Sequence, residues 1–166
     1  MPISASILPE FDHEMATTRS LLAIVPEQHA AWVPHAKSMP LGRLAAHIAE
    51  LPAWVTSTIH QTELDFGAPG AYNPTQFTTT AALLELFDKN VAAARTAIEG
   101  VSDADLMVPW SLRNGEHVIF TMPRIGVLRT FVTNHIIHHR GQLSVYLRLH
   151  DVPLPSIYGP TADTQG

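Results

Sequence analysis

The feature that most constrains this chain is a helical period of apolar residues that recurs in four separate segments. Residues 9–25 place Phe11, Met15, Thr18, Leu22 and Val25 at steps of three and four, so they share one face. Residues 40–60 do the same with Leu41, Leu44, Ala45, Ile48, Leu51 and Val55. Ser38 is placed to cap this segment, and Pro40 suits a first turn, where its missing N–H has no intrahelical partner. Pro52 lies within the pattern and predicts a kink or break. Residues 79–99 carry Leu83, Leu84, Leu86, Phe87, Val91 and Ile98, with Gly100 as the expected stop. Residues 123–150 carry Ile125, Leu128, Val132, Ile136, Leu143 and Leu147.

The connections are read from turn chemistry. Gly67, Pro69, Gly70, Asn73 and Pro74 mark residues 65–76 as a loop. Ser102-Asp103-Ala104-Asp105 resembles the start of a short helical turn. Asn114-Gly115, between Val108–Leu112 and His117–Phe120, predicts a short, partly exposed hairpin, because both residues tolerate positive φ. The tail after Val152 is rich in Pro and Gly and is expected to be extended. Four long helices joined mostly by long connections imply one all-α domain over residues 1–166, a four-helix bundle with a hairpin or extended insertion before the last helix.

Composition narrows the function. The formal charge is −5, which gives no basic footprint for nucleic acid. The chain holds no cysteine, so disulfides, thiolate metal ligands and a cysteine nucleophile are excluded. Any metal must be held by His, Asp, Glu or carbonyl oxygen. No apolar run approaches a membrane span, and the first residues lack a secretory pattern, so a cytoplasmic protein is expected. No Ser-His-Asp set, Gly-rich phosphate loop or dinucleotide fingerprint is present.

Histidine is the outlier, with ten residues. At that abundance some pair four residues apart arises by chance about one time in two, so the spacing of His135 and His139 carries little by itself. Their setting carries more. With about 100° per residue and His135 at zero, His139 falls at about +40°, Gln142 at about −20°, Tyr146 at about +20° and Phe131 at about −40°. Two imidazoles on a face shared with Leu143, Tyr146 and Phe131 are costly to desolvate, and a metal would use their lone pairs directly. The alternative is a wet helix face, or core histidines bonded to carbonyls. His47, beside Leu44, Ala45, Ile48 and Leu51, borders the core of the second segment and reads alone as a helix-border histidine. His13 reads the same way. His29, His35 and His60 are expected to be solvated, His117 falls in the hairpin, and His150 ends the last helix. Glu50 and Tyr146 are the polar candidates for acid–base assistance, with Glu50 equally readable as an exposed helix carboxylate.

Two stretches carry a family resemblance. Leu41-Gly42-Arg43-Leu44-Ala45-Ala46-His47-Ile48-Ala49-Glu50-Leu51-Pro52-Ala53-Trp54 and His135-Ile136-Ile137-His138-His139-Arg140-Gly141-Gln142-Leu143-Ser144-Val145-Tyr146-Leu147-Arg148 resemble the two signature regions of the DinB/YfiT-like superfamily, which is distinct from the DNA polymerase of the same name. The resemblance implies a four-helix bundle of unusual connectivity, often dimeric, with a three-histidine site for a divalent metal such as nickel or zinc. Its ligands fall on His47, His135 and His139, with His138 outside the set. Three neutral imidazoles leave coordination open to water or substrate, as catalytic sites do. Relatives imply a small-molecule substrate, with thiol transfer involving a low-molecular-weight thiol, or hydrolysis, as the expected chemistry. The alternatives are a non-catalytic metal-binding or stress-related dimeric protein, and a plain helical dimerisation module.

Overall fold

The computed structural model describes residues 2–71 and 73–164. Helix α1 spans Ile3–Leu22, α2 Leu41–Glu50, α3 Ala53–His60 and α4 Thr80–Gly100. A short α5, Asp103–Leu106, leads into a hairpin of β2, Pro109–Asn114, and β3, His117–Pro123. The last helical stretch runs through α6, Arg124–Val127, a π-helical segment Leu128–Thr133, and α7, Asn134–Arg148. α1 and α2 each pack on both α4 and α7, and α3 packs on α4. Phe11, Met15, Leu22, Leu44, Ile48, Phe87, Ile98, Val132, Ile136, Leu143 and Leu147 meet in the shared core.

The periodic segments form helices, with shifts at their ends. α1 begins at Ile3 rather than at Pro9, so Pro9 lies inside it. The Ile3 N–H gains a partner outside the helix, donating to Asp103 Oδ1 at 2.7 Å. Pro52 breaks the second segment as expected: α2 ends at Glu50 and α3 starts at Ala53. Ser38 does not cap α2; Pro40 occupies the cap position and offers no side-chain bond. α4 includes Gly100 as its last residue, and its start is capped by Thr79, whose Oγ1 accepts from Ala82 N–H at 3.1 Å. Ser102 caps α5 in the same manner.

The expectation of an all-α chain is too narrow. Residues Glu63–Asp65, of which only Asp65 falls in the expected loop and none was expected to be strand, form a strand, β1, that pairs parallel with β2, giving a three-stranded sheet in the order β1-β2-β3. Three residues carry no readable alternation, and their pairing partner lies some fifty residues away. The hairpin turn sits one residue later than expected. Asn114 pairs with His117, leaving Gly115 and Glu116 as the loop. Gly115 has φ 59°, and Glu116 is not in the positive-φ region, which is the glycine-first pattern of a type II′ turn. One face of the sheet buries Trp110 and Leu112 against Val127, with Trp54, Leu64, Phe66 and Phe131 packed around them.

Over its described residues, 153–164, the tail is without helix or strand but folds back on the bundle. Tyr158 donates to Glu14 of α1, and Asp163 pairs with Arg148 of α7. Among the described residues no helix is long and apolar enough to cross a membrane.

Candidate metal centre

Helices α2 and α7 pack side by side, and that contact sets His47 against His135 and His139. The Nε2 atoms of His47 and His135 are 3.4 Å apart, and those of His135 and His139 are 2.8 Å apart. One ring nitrogen from each of the three lies within 4.8 Å of the others, a group that could hold a metal ion. Nitrogen ligands about 2.0–2.1 Å from an ion stand about 2.9 Å apart at right angles and about 3.4 Å apart at tetrahedral angles. The two Nε2 separations fall close to this range.

The other nitrogen of each ring faces an acceptor. His135 Nδ1–H donates to the Phe131 carbonyl at 3.3 Å. His139 Nδ1–H donates to Gln142 Oε1 at 2.7 Å. His47 Nδ1 lies 3.8 Å from Glu50 Oε2. A carbonyl or amide oxygen can only accept, so the Nδ1 atoms of His135 and His139 carry the proton and their Nε2 lone pairs face inward. Lone pairs opposed at 2.8 Å repel unless a cation or proton stands between them, and such outer acceptors are what metal-binding histidines use to fix their orientation. The donor set therefore fits a divalent ion.

Burial holds all three imidazoles toward the neutral form. The His47 pKa is lowered to about 4, first by burial, then by the neighbouring His139 and His135 and by Arg43, with Glu50 opposing. Burial also lowers His135 and His139, opposed by the bonds to Phe131 and Gln142. Neutral imidazole is the form that ligates.

The π-helical segment bears on this placement. Val127 and Leu128 are buried, and the next buried pair, Val132 and Thr133, follows at a step of five rather than four. The Thr133 hydroxyl donates to Leu128 O at 3.3 Å, and the Asn134 N–H reaches back to Arg129 O. One extra residue is absorbed just before His135, and π-turns of this kind recur beside functional sites.

Glu50 is closely engaged. Its Oε1 accepts from the Thr75 N–H, and its Oε2 accepts from Arg43 at 3.1 Å. Tyr146 is turned elsewhere: its hydroxyl donates to the Met39 carbonyl at 3.3 Å, and its ring meets the edge of Trp32. His138 is exposed and takes a hydrogen bond from the Gln142 amide nitrogen at 3.2 Å. His13, His35, His60 and His117 are exposed. His29, expected in solvent, instead stacks on His150 at 4.1 Å, and α7 stops at Arg148, before His150.

Beside the histidines opens a cleft of about 460 Å³. His47 and His135 form one side of it, and Trp54, Phe66, Leu112 and Phe131 form much of the rest. Sequence reasoning missed this cleft, because β1 and the hairpin supply Leu64, Phe66 and Leu112 through long-range pairing. It also missed the fixing roles of Gln142 and the Phe131 carbonyl. The signal for Gln142 was present in its spacing three residues after His139.

Residues 10–143 match the DinB superfamily. The chain belongs to that superfamily. The uncharacterized protein YrdA of Bacillus subtilis (strain 168) is 26% identical over 159 residues, covering 94% of this chain and 88% of YrdA. Among solved structures, the DinB-like protein YjoA of Bacillus subtilis superposes with a TM-score of 0.71 at 19% identity, covering 93% of this chain and 99% of YjoA. A DinB-like protein from Bacillus cereus ATCC 10987 gives 0.68 at 24% identity, covering 91% and 95%. These superpositions establish a helix-rich DinB-like fold, and the chain also carries a small three-stranded sheet.

Proposed function

We propose that this DinB-superfamily protein is a divalent-metal-dependent enzyme that acts on a small molecule by thiol transfer or hydrolysis. The observation that carries the reading is the convergence of three Nε2 atoms, two of them on rings whose Nδ1 sides are hydrogen-bonded to outer acceptors, with one side of the cluster lining a cleft. An ion held by His47, His135 and His139 would supply Lewis acidity toward a water or thiol in that cleft. Nickel and zinc are the metals we propose, since both suit imidazole. A homodimer and a cytoplasmic setting complete the proposal.

The residues around the cluster take positioning roles in this reading. Glu50 orients His47 while bonded to Arg43 and to the chain at Thr75. Gln142 holds His139, and the Phe131 carbonyl holds His135. Tyr146 secures the segment around Met39 and Trp32 and receives no proton-transfer role.

The test is metal analysis of protein purified without a His-tag and reloaded with zinc or nickel. One equivalent in the wild type, lost in His139→Ala, is the expected result, together with a lower Tm after EDTA treatment. Wild-type protein that takes up no ion would end the reading. Stoichiometric metal without turnover of thiol conjugates or esters would instead favour a non-catalytic metal-binding protein.

A further inference from the structure

The cleft beside the histidines has a lining that selects by chemistry. Three aromatic side chains, Trp54, Phe66 and Phe131, contribute to its walls, with Leu51, Leu64 and Leu112 between them. The rings are braced by neighbours: Trp54 meets Phe66 edge-on at 5.7 Å, and Phe131 stacks on Phe120 at 4.3 Å. Ser57 and Asn73 are the uncharged polar residues of the lining. Among the described residues that line it there is no lysine or arginine. Its one carboxylate, Glu50, has both oxygens engaged, by Thr75 N–H and Arg43.

Such a lining rewards apolar surface and penalises charge. A carboxylate or ammonium carried into it would lose water and find no countercharge. Aromatic walls instead offer edge-to-face and stacked contacts to a second ring. The volume suits a compact organic molecule rather than a chain of many polar groups. At the His47–His135 side the demand changes, because an ion there would take one electron-pair donor.

We propose that the substrate bound in this cleft is an uncharged, aromatic or branched-apolar small molecule with a single metal-binding donor at one end. This deepens the metal-enzyme reading and rests on it for the donor end alone. The apolar body is recognised by Trp54, Phe66 and Phe131 whether or not an ion is present. A thiol bearing several carboxylates is not accommodated in the cleft.

The experiment has a metal-free and a metal-loaded arm. In the first, N-phenyl-1-naphthylamine, an uncharged fluorescent probe, is titrated into metal-free protein. Micromolar binding is expected, weakened at least tenfold by Ser57→Lys, which sets a charge into the cleft. In the second, cobalt-loaded protein with verified stoichiometric metal is titrated with phenylmethanethiol and with mercaptosuccinate, following the thiolate-to-cobalt absorption band. At least tenfold tighter binding of phenylmethanethiol is expected, with the preference narrowed or reversed in Ser57→Lys. Equal binding of the two thiols by the loaded wild type would overturn the inference while leaving the metal-enzyme reading standing. Absence of cobalt uptake would remove that reading, and the naphthylamine arm would still decide the cleft: no binding there overturns the inference. Both wild-type comparisons stand even if Ser57→Lys does not fold. Trp54→Ala serves as a second variant, expected to weaken both apolar probes and leave cobalt stoichiometry unchanged.

Discussion

His139 Nδ1 donates to Gln142 Oε1 across 2.7 Å, and the same amide donates from its nitrogen to His138 at 3.2 Å. One side chain thus fixes the ring orientation of a candidate ligand and engages the non-ligand histidine beside it. Gln142→Leu removes the acceptor at an exposed position, so the fold is retained. Metal affinity is expected to fall by about 10- to 100-fold, the usual effect of losing an outer partner of a metal-bound histidine. Competition with a chelator measures it. Gln142→Glu keeps an acceptor oxygen and is expected to stay within a few-fold of wild type.

The depressed His47 pKa makes the metal-free protein sensitive to acid. The ring titrates at about 4 when folded against 6.5 for the free group, so the unfolded chain takes up the proton first. Stability from this residue is complete above about pH 6.5 and is lost as pH falls toward 4. Burial of His135 and His139 acts in the same direction. Urea midpoints of the metal-free protein should therefore drop between pH 7.5 and 5, and drop less in His47→Gln. Protons and metal compete for the same nitrogens, so loaded protein should release its ion over the acidic range.

The sequence made the candidate ligands legible for a physical reason. A helix places residues four apart on one face, so His135 and His139 were paired by spacing and their inward setting by Leu143 and Phe131. His47 lay on a different helix, and its place beside the pair depends on how α2 and α7 pack, which one sequence does not specify without a family resemblance. The break at Pro52 was readable because proline lacks the N–H that a helix needs there. The π-helical segment was not read, although the buried pairs Val127–Leu128 and Val132–Thr133 mark it by their five-residue step. β1 escaped because its order comes from β2, not from its own three residues.

Arg140 points away from the histidines into a buried polar cluster. It is 1% exposed and pairs with Glu14, 6% exposed, at 2.7 Å. It also donates to the Glu14 carbonyl at 3.1 Å and to Thr18 Oγ1 at 3.2 Å, and Tyr158 of the tail hydrogen-bonds to both partners. Removing one member leaves the other charge buried and unpaired. Glu14→Ala or Arg140→Ala is expected to cost about 3–5 kcal/mol in chemical denaturation. Replacing both by Met should recover much of that loss. Tyr158→Phe removes only the hydroxyl and should cost about 1 kcal/mol, with metal stoichiometry unchanged.

Asp65 ties the outer wall of the cleft to the hairpin. Its Oδ1 accepts from Gly67 N–H and from Gly115 N–H, each at 2.8 Å, and these bonds, led by Gly115, lower its pKa. Gly67 has no room for a side chain, since a Cβ there would stand 2.6 Å from Gly115 N. The backbone of Phe66 depends on the same junction, its N–H donating to Arg113 O at 2.9 Å. Asp65→Ala removes the shared acceptor while leaving α2 and α7, which carry the histidines, untouched. Hydrogen exchange at Phe66 N–H should accelerate, and N-phenyl-1-naphthylamine should bind the cleft less tightly. Metal affinity should remain within about twofold, because the ligands and their outer acceptors lie on helical segments and none of them bonds to Asp65. A metal affinity that fell together with probe binding would mean that the sheet supports the histidines as well as the cleft wall.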